Sequence, residues 1–214
     1  MKITVPDKLS EITLGQYQKF LRIQKDNTDP NFLSTKMIEI FCGIKTTEAL
    51  KLKVSDVNAI CDILVTMFNE KPDLIRRFSL YGVEYGFIPN LEDISLGEYI
   101  DLDNYLSDWD NMDKAMEVLF RPISNKYGDR YSINEYEASD TGIMKDMPLD
   151  IALAAVIFFY RLGIDLSTIM MNYLENKEEK ALHRYINSPK NMGGINQFTH
   201  SLKEMLQDLK ISQN

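Results

Sequence analysis

The chain has little of what extracellular, membrane-spanning or metal-dependent proteins need. It holds two cysteines in 214 residues, Cys42 and Cys61. Both sit in apolar helical patterns and neither belongs to a Cys-x-x-Cys pair, so they read as buried thiols in a reducing compartment and not as a disulfide framework. The two histidines, His183 and His200, have no Cys, Asp or Glu at a metal-ligand spacing. The longest apolar run, Ile151 to Tyr160, is roughly half of the about 20 residues that a bilayer crossing takes. The opening Met-Lys-Ile-Thr-Val-Pro lacks the apolar centre of a signal peptide, so an intracellular protein without membrane contact is expected.

Positive charge is also scarce, with 24 Lys and Arg against 32 Asp and Glu and a net charge of −8. Binding to phosphates needs clustered cations that displace counterions, so no direct nucleic-acid partner is expected. Gly-x-Ser-x-Gly elbows, phosphate-binding loops, dinucleotide fingerprints and His-Glu-x-x-His motifs are missing. Carboxylates are plentiful, but no two are singled out as an acid–base pair. The expectation is a protein that is not an enzyme, with no catalytic residues, cofactor or metal.

What is present is a core-forming composition, 44% hydrophobic, and an internal echo. Leu9-Ser-Glu-Ile-Thr-Leu-Gly-Gln-Tyr17 returns as Leu91-Glu-Asp-Ile-Ser-Leu-Gly-Glu-Tyr99. In both, Thr13 or Ser95 is placed to cap a helix and Gln16 or Glu98, three residues on, to close a capping box. Ile12 with Tyr17, and Ile94 with Tyr99, have the spacing of a hydrophobic staple. Strand, proline, cap and helix follow one another in each copy, with Val5-Pro6 and Ile88-Pro89 as the lead-ins.

Apolar residues at three- and four-residue spacing predict helices from Thr13 to about Asp26, from Asn31 to Phe41, and from a Ser55 cap to Phe68. Between Arg77 and Pro89 the period becomes two, interrupted at Tyr81-Gly82, which predicts a β-hairpin at about 77–88. Beyond it the spacing predicts a helix from Ser95 carrying Leu96, Tyr99, Ile100 and Leu102, and another from Met112 to Phe120 that Arg121-Pro122 ends. Tyr131 and Ile133 leave room for a second short hairpin strand. Pro148 opens the most apolar helix, Leu149 to about Leu162, expected at the centre of the fold. A further helix follows Gly163, and after the breakers Ser188-Pro189 and Gly193-Gly194 comes a terminal amphipathic helix.

The fold class expected is mainly α: a helical bundle of two similar helical units with one small hairpin and a C-terminal amphipathic helix. The organisation expected is residues 1–76 as the first unit, 77–187 as the hairpin and second unit in one compact domain with the first, and 188–214 as link and terminal helix. Two surfaces are candidate partner-binding sites. One is the stripe Phe198, Leu202, Met205, Leu206 and Leu209, which can pack on its own core or on a partner. The other is the acidic stretch from Glu92 to Asp113, with Asp101, Asp108 and Asp110, which contains no Lys or Arg and would attract a basic partner. Asp101-Leu-Asp103 starts like a calcium loop, but Tyr105 and Leu106 stand where a ligand and the turn glycine belong.

The blocks Phe87-Ile-Pro-Asn90, Gly97-Glu-Tyr-Ile-Asp-Leu-Asp103, Met116-Glu-Val-Leu-Phe-Arg-Pro-Ile123 and Met147-Pro-Leu-Asp-Ile-Ala-Leu153 resemble uncharacterised proteins encoded among the structural and assembly genes of tailed bacteriophages. The resemblance covers about a third of the chain and carries no chemistry across. It implies a morphogenesis role through protein–protein contacts, as a head-to-tail connector or ring component of the virion. The alternative is a tail assembly chaperone that is absent from the mature particle; a phage-encoded regulator or enzyme is the third class. Other phage structural proteins and further copies of the same chain are the implied partners, and the host cytoplasm during assembly, or the virion, the implied location.

Overall fold

The computed structural model describes residues 2–138 and 141–175. Among these, helices α1 (Leu14–Asp26), α2 (Pro30–Phe41), α3 (Thr46–Ala49), α4 (Val54–Phe68), α5 (Leu96–Tyr105), α6 (Met112–Leu119) and α7 (Leu149–Glu175) accompany strands β1 (Arg77–Leu80), β2 (Val83–Phe87), β3 (Phe120–Tyr127) and β4 (Arg130–Ile133). The strands form one antiparallel sheet in the order β1-β2-β3-β4. The expectation of a mainly α bundle with one small hairpin is therefore corrected: the fold is mixed, seven helices and a four-stranded sheet among the described residues.

The correction has a physical cause. The hairpin is where its alternation predicts it, and Tyr81 and Gly82 at its tip both take positive φ, 51° and 78°, as a two-residue turn with the right twist requires. β3 was hidden because it starts at the residue after α6 ends and carries a proline and mostly polar side chains. It exists through non-local pairing, Phe87 opposite Phe120 and Tyr85 opposite Pro122. Pro122 has no N–H to give, but its carbonyl accepts from Asn134 N at 2.9 Å where β4 joins, so the ladder continues past it.

Local rules hold at the starts of α1, α2 and α5, whereas the expected Ser55 cap is corrected: α4 begins at Val54, after Lys53, with no side-chain cap. Thr13 and Gln16 form the capping box, Gln16 N donating to Thr13 Oγ1 at 3.2 Å and Thr13 N to Gln16 Oε1 at 2.9 Å. Asp29 caps α2, whose first residue is Pro30. The N-termini of α1 and α7 satisfy one another: Leu14 N donates to Met147 O at 2.9 Å and Leu149 N to Ile12 O at 2.8 Å. Two donors that helix geometry leaves without partners are thus paired across 135 residues of sequence (149 − 14). Residues 2–7 carry no strand, so the strand–proline–cap pattern of the second copy is not repeated in the first.

The core is one cluster running from Leu9 to Phe159. Leu149 and Ile151 to Val156 are buried, which places the start of α7 at the centre as its composition predicts. The helix does not stop at Gly163 but continues to Glu175. Phe87 of β2 meets Phe120 at 5.3 Å and Phe158 at 5.7 Å between ring centroids, joining the inner sheet face to α7. Around α1 a second aromatic group forms, with Tyr17 edge-on to Trp109 at 5.2 Å and Phe41 to Phe68 at 5.1 Å. Burial pushes the Tyr17 hydroxyl up to about 12.

Candidate functional site

Helix α5 packs beside α6 and is tied to β3 through Glu98 and Arg121. Its N-terminus repeats the capping box, with Ser95 N donating to Glu98 Oε2 at 2.7 Å and Glu98 N to Ser95 Oγ at 3.3 Å. Here the third residue is Glu and not Gln, and the difference matters. Glu98 is buried, and its other oxygen, Oε1, takes an ion pair from Arg121 Nη2 at 2.6 Å. Burial pushes the Glu98 carboxyl up, but the Ser95 hydrogen bonds and the Arg121 charge outweigh it and leave the pKa below its ordinary 4.5. Arg121 also lies over the Tyr136 ring at 5.9 Å, and the Tyr136 hydroxyl donates to Asp101 Oδ2 at 2.5 Å. Burial and that carboxylate hold Tyr136 well above the ordinary tyrosine range.

Ser95, Glu98, Arg121 and Tyr136 lie along an open groove of about 570 Å³ that Asn90 and Tyr131 also line. Glu98 and Arg121 are paired with one another, Asp93 accepts from Asn90 Nδ2 at 2.8 Å, and Glu135 is exposed at the rim. Arg121 Nε is buried and lacks an acceptor among the described residues, because the oxygen that would complete a two-pronged pair with Glu98 is held by the cap. The arrangement pins the start of α5 to β3. It works as a clamp.

Three of the acids singled out from the sequence are likewise engaged. Asp101 accepts from Tyr136, Asp108 from Asp110 N and Asn111 Nδ2 at 3.0 Å each, and Asp110 from Arg22 Nε at 2.5 Å and Lys25 Nζ at 3.2 Å. The Arg22 hydrogen bond, above all, sets the Asp110 carboxyl below its ordinary range. Asp113, at the end of the stretch, is buried and holds Gln18 Nε2 at 2.9 Å. Glu92 and Asp103 have no partner among the described residues. Phe198, Leu202, Met205, Leu206 and Leu209 lie outside the described residues. Cys42 and Cys61 are unpaired and half-buried, less enclosed than expected, and burial pushes the Cys42 thiol up to about 11.

Sequence reasoning missed the exposed side of α5. Leu96, Tyr99 and Ile100, expected only as apolar positions of this helix, are 74%, 40% and 49% exposed, while Leu102 and Leu106 fill the core. The signal was in the spacing: those five residues cannot share one helical stripe, so one set had to face out. Asp103 continues the outer row one turn beyond Tyr99 and Ile100. A second exposed apolar pair, Leu50 at 70% and Val54 at 76%, lies at the corner between α3 and α4 among Lys45, Lys51 and Lys53.

No helix among the described residues is long and apolar enough to cross a membrane. The chain matches no family model, no curated protein and no solved structure.

Proposed function

We propose that the chain is a non-enzymatic morphogenesis protein of a tailed bacteriophage, acting through protein–protein contacts as a component of a head-to-tail connector or ring. The observation that carries this is α5, a helix whose apolar arc is wider than the core covers and is left in solvent along one edge. A single exposed Leu is ordinary, but Leu96, Tyr99 and Ile100 form a continuous row on a helix whose other apolar side is already buried. Such a row favours association, and the clamp of Glu98 on Arg121 holds the helix rigid, so less freedom is lost when a partner docks. The resemblance of Phe87–Asn90, Gly97–Asp103, Met116–Ile123 and Met147–Leu153 to phage assembly proteins supports the biological setting.

Quantitative mass spectrometry of purified particles of the encoding phage tests this. Multiple copies per particle are expected. Absence from the particle, with the chain bound to an unassembled tail subunit in infected cells, would replace the ring by a tail assembly chaperone.

A further inference from the structure

The exposed row on α5 and the α3–α4 corner have opposite charge. Around Leu96, Tyr99 and Ile100, the stretch from Glu92 to Asp113 contains no cation, and Glu92 and Asp103 are uncompensated among the described residues. Around Leu50 and Val54, Lys45, Lys51 and Lys53 are exposed and pair with no acid among the described residues. Of the acids nearest in sequence, Glu48 is committed to the backbone N–H of Lys45 at 3.0 Å, and Asp56 accepts from Ser55 Oγ at 3.4 Å. Each surface therefore offers apolar side chains with flanking charge, acidic throughout at the α5 row and net positive by one at the corner, where three lysines stand against Glu48 and Asp56 (3 − 2). The two are carried by separate parts of the fold, the corner beside α2 and the row beside α6.

Two acidic rows facing one another would place like charges together, which disfavours a symmetric contact through α5. We infer that the α5 row of one copy takes the α3–α4 corner of a second copy, Leu96, Tyr99 and Ile100 packing on Leu50 and Val54 while Glu92 and Asp103 meet the corner lysines. A contact between two different surfaces of one chain is head-to-tail. It leaves an unused surface of each kind at the ends and propagates until the rotation closes into a ring. The inference rests on the ring reading above and gives that ring its interface.

The test uses two full-length variants. One carries Leu96→Lys and Ile100→Lys, the other Leu50→Glu and Val54→Glu. All four positions are substantially exposed, and fluorescence from buried Trp109 reports that each variant is folded. In native mass spectrometry and sedimentation, the wild type is expected to form species larger than a dimer. Each variant alone should associate at least about a hundredfold more weakly, tenfold for each apolar anchor removed. Mixed in equal amounts, the two retain one intact interface and should give a 1:1 dimer and nothing larger, dissociating as salt rises. A wild type that stays monomeric, variants that assemble as the wild type does, or a mixture that stays monomeric would overturn the interface. The two readings fail separately: multiple copies in the particle with a monomeric mixture sinks this contact alone, whereas absence from the particle sinks the ring reading and leaves the mixture to judge the contact.

Discussion

Glycines at equivalent positions of the two repeats carry different burdens. Gly15, in α1, faces the backbone of the 143–146 turn, and a Cβ there would lie 3.0 Å from Lys145 O. Gly97, its counterpart in α5, has open space around it. Gly97→Ala is therefore expected to raise stability by up to about 1 kcal/mol through helix propensity, while Gly15→Ala lowers it because a backbone carbonyl must move. Denaturant melts of the two variants check the opposite signs. Gly86 is a stronger case. The ring of Tyr131 crosses it from β4, two strands away, so a Cβ would fall 2.4 Å from Tyr131 Cε2, and the hydroxyl bonds Phe87 O at 2.7 Å. Gly86→Ala should destabilise by about 1–3 kcal/mol. In a Tyr131→Leu background most of that penalty should vanish, and a double-mutant cycle that shows simple additivity would contradict this account. None of these assignments is legible from the glycines themselves, since the repeat makes Gly15 and Gly97 look alike.

At the scale of the element, α5 is held by one carboxylate doing two tasks. Glu98→Gln keeps the capping box but leaves the guanidinium of Arg121, largely enclosed, without its counter-charge, so a loss of about 3 kcal/mol at neutral pH is expected. The folded-state pKa of Glu98 is depressed, so its contribution is fully present above the ordinary glutamate value of 4.5 and is lost as pH falls through the lower folded value. The stability gap between wild type and Glu98→Gln should accordingly shrink under acid conditions, and a gap constant from pH 7 down to pH 3 would show that the charge is irrelevant. Ser95→Ala, which breaks the cap itself, is expected to cost about 1 kcal/mol at neutral pH and less in acid, because the serine hydroxyl helps to hold the Glu98 carboxyl down. The caps of α1 and α5, the hairpin turn and the buried start of α7 could all be read from neighbouring residues. Arg121 as partner of Glu98 could not, because 23 residues (121 − 98) and a change from helix to strand separate them.

Across the whole molecule, the two sequence repeats share one core. Trp109, the only tryptophan, sits in the second repeat and packs on Tyr17 of the first, while α1 and α7 exchange backbone hydrogen bonds at their starts. Thermal or denaturant unfolding followed by tryptophan fluorescence and by far-ultraviolet circular dichroism should therefore give coincident transitions. Two separated transitions would mean that the segments before and after residue 77 fold independently. The same packing explains why one apolar side of α5 faces solvent: the core offers room for Leu102 and Leu106 and is closed to Leu96 and Ile100.

The sequence by itself determined where α1 and α5 begin, because a cap and its partner lie three residues apart, and where the first hairpin turns, because Gly82 beside Tyr81 decides the backbone there. It also determined which stretch is apolar enough to sit at the centre. Only the tertiary structure decided that Phe120 to Tyr127 is a strand, that Glu98 pairs with Arg121, and which side of α5 is buried. Those outcomes depend on what arrives from elsewhere in the chain. A strand of weak local preference forms because β2 presents a free edge beside it, and of two apolar helix faces the one that finds a complementary surface first buried by other elements goes inward.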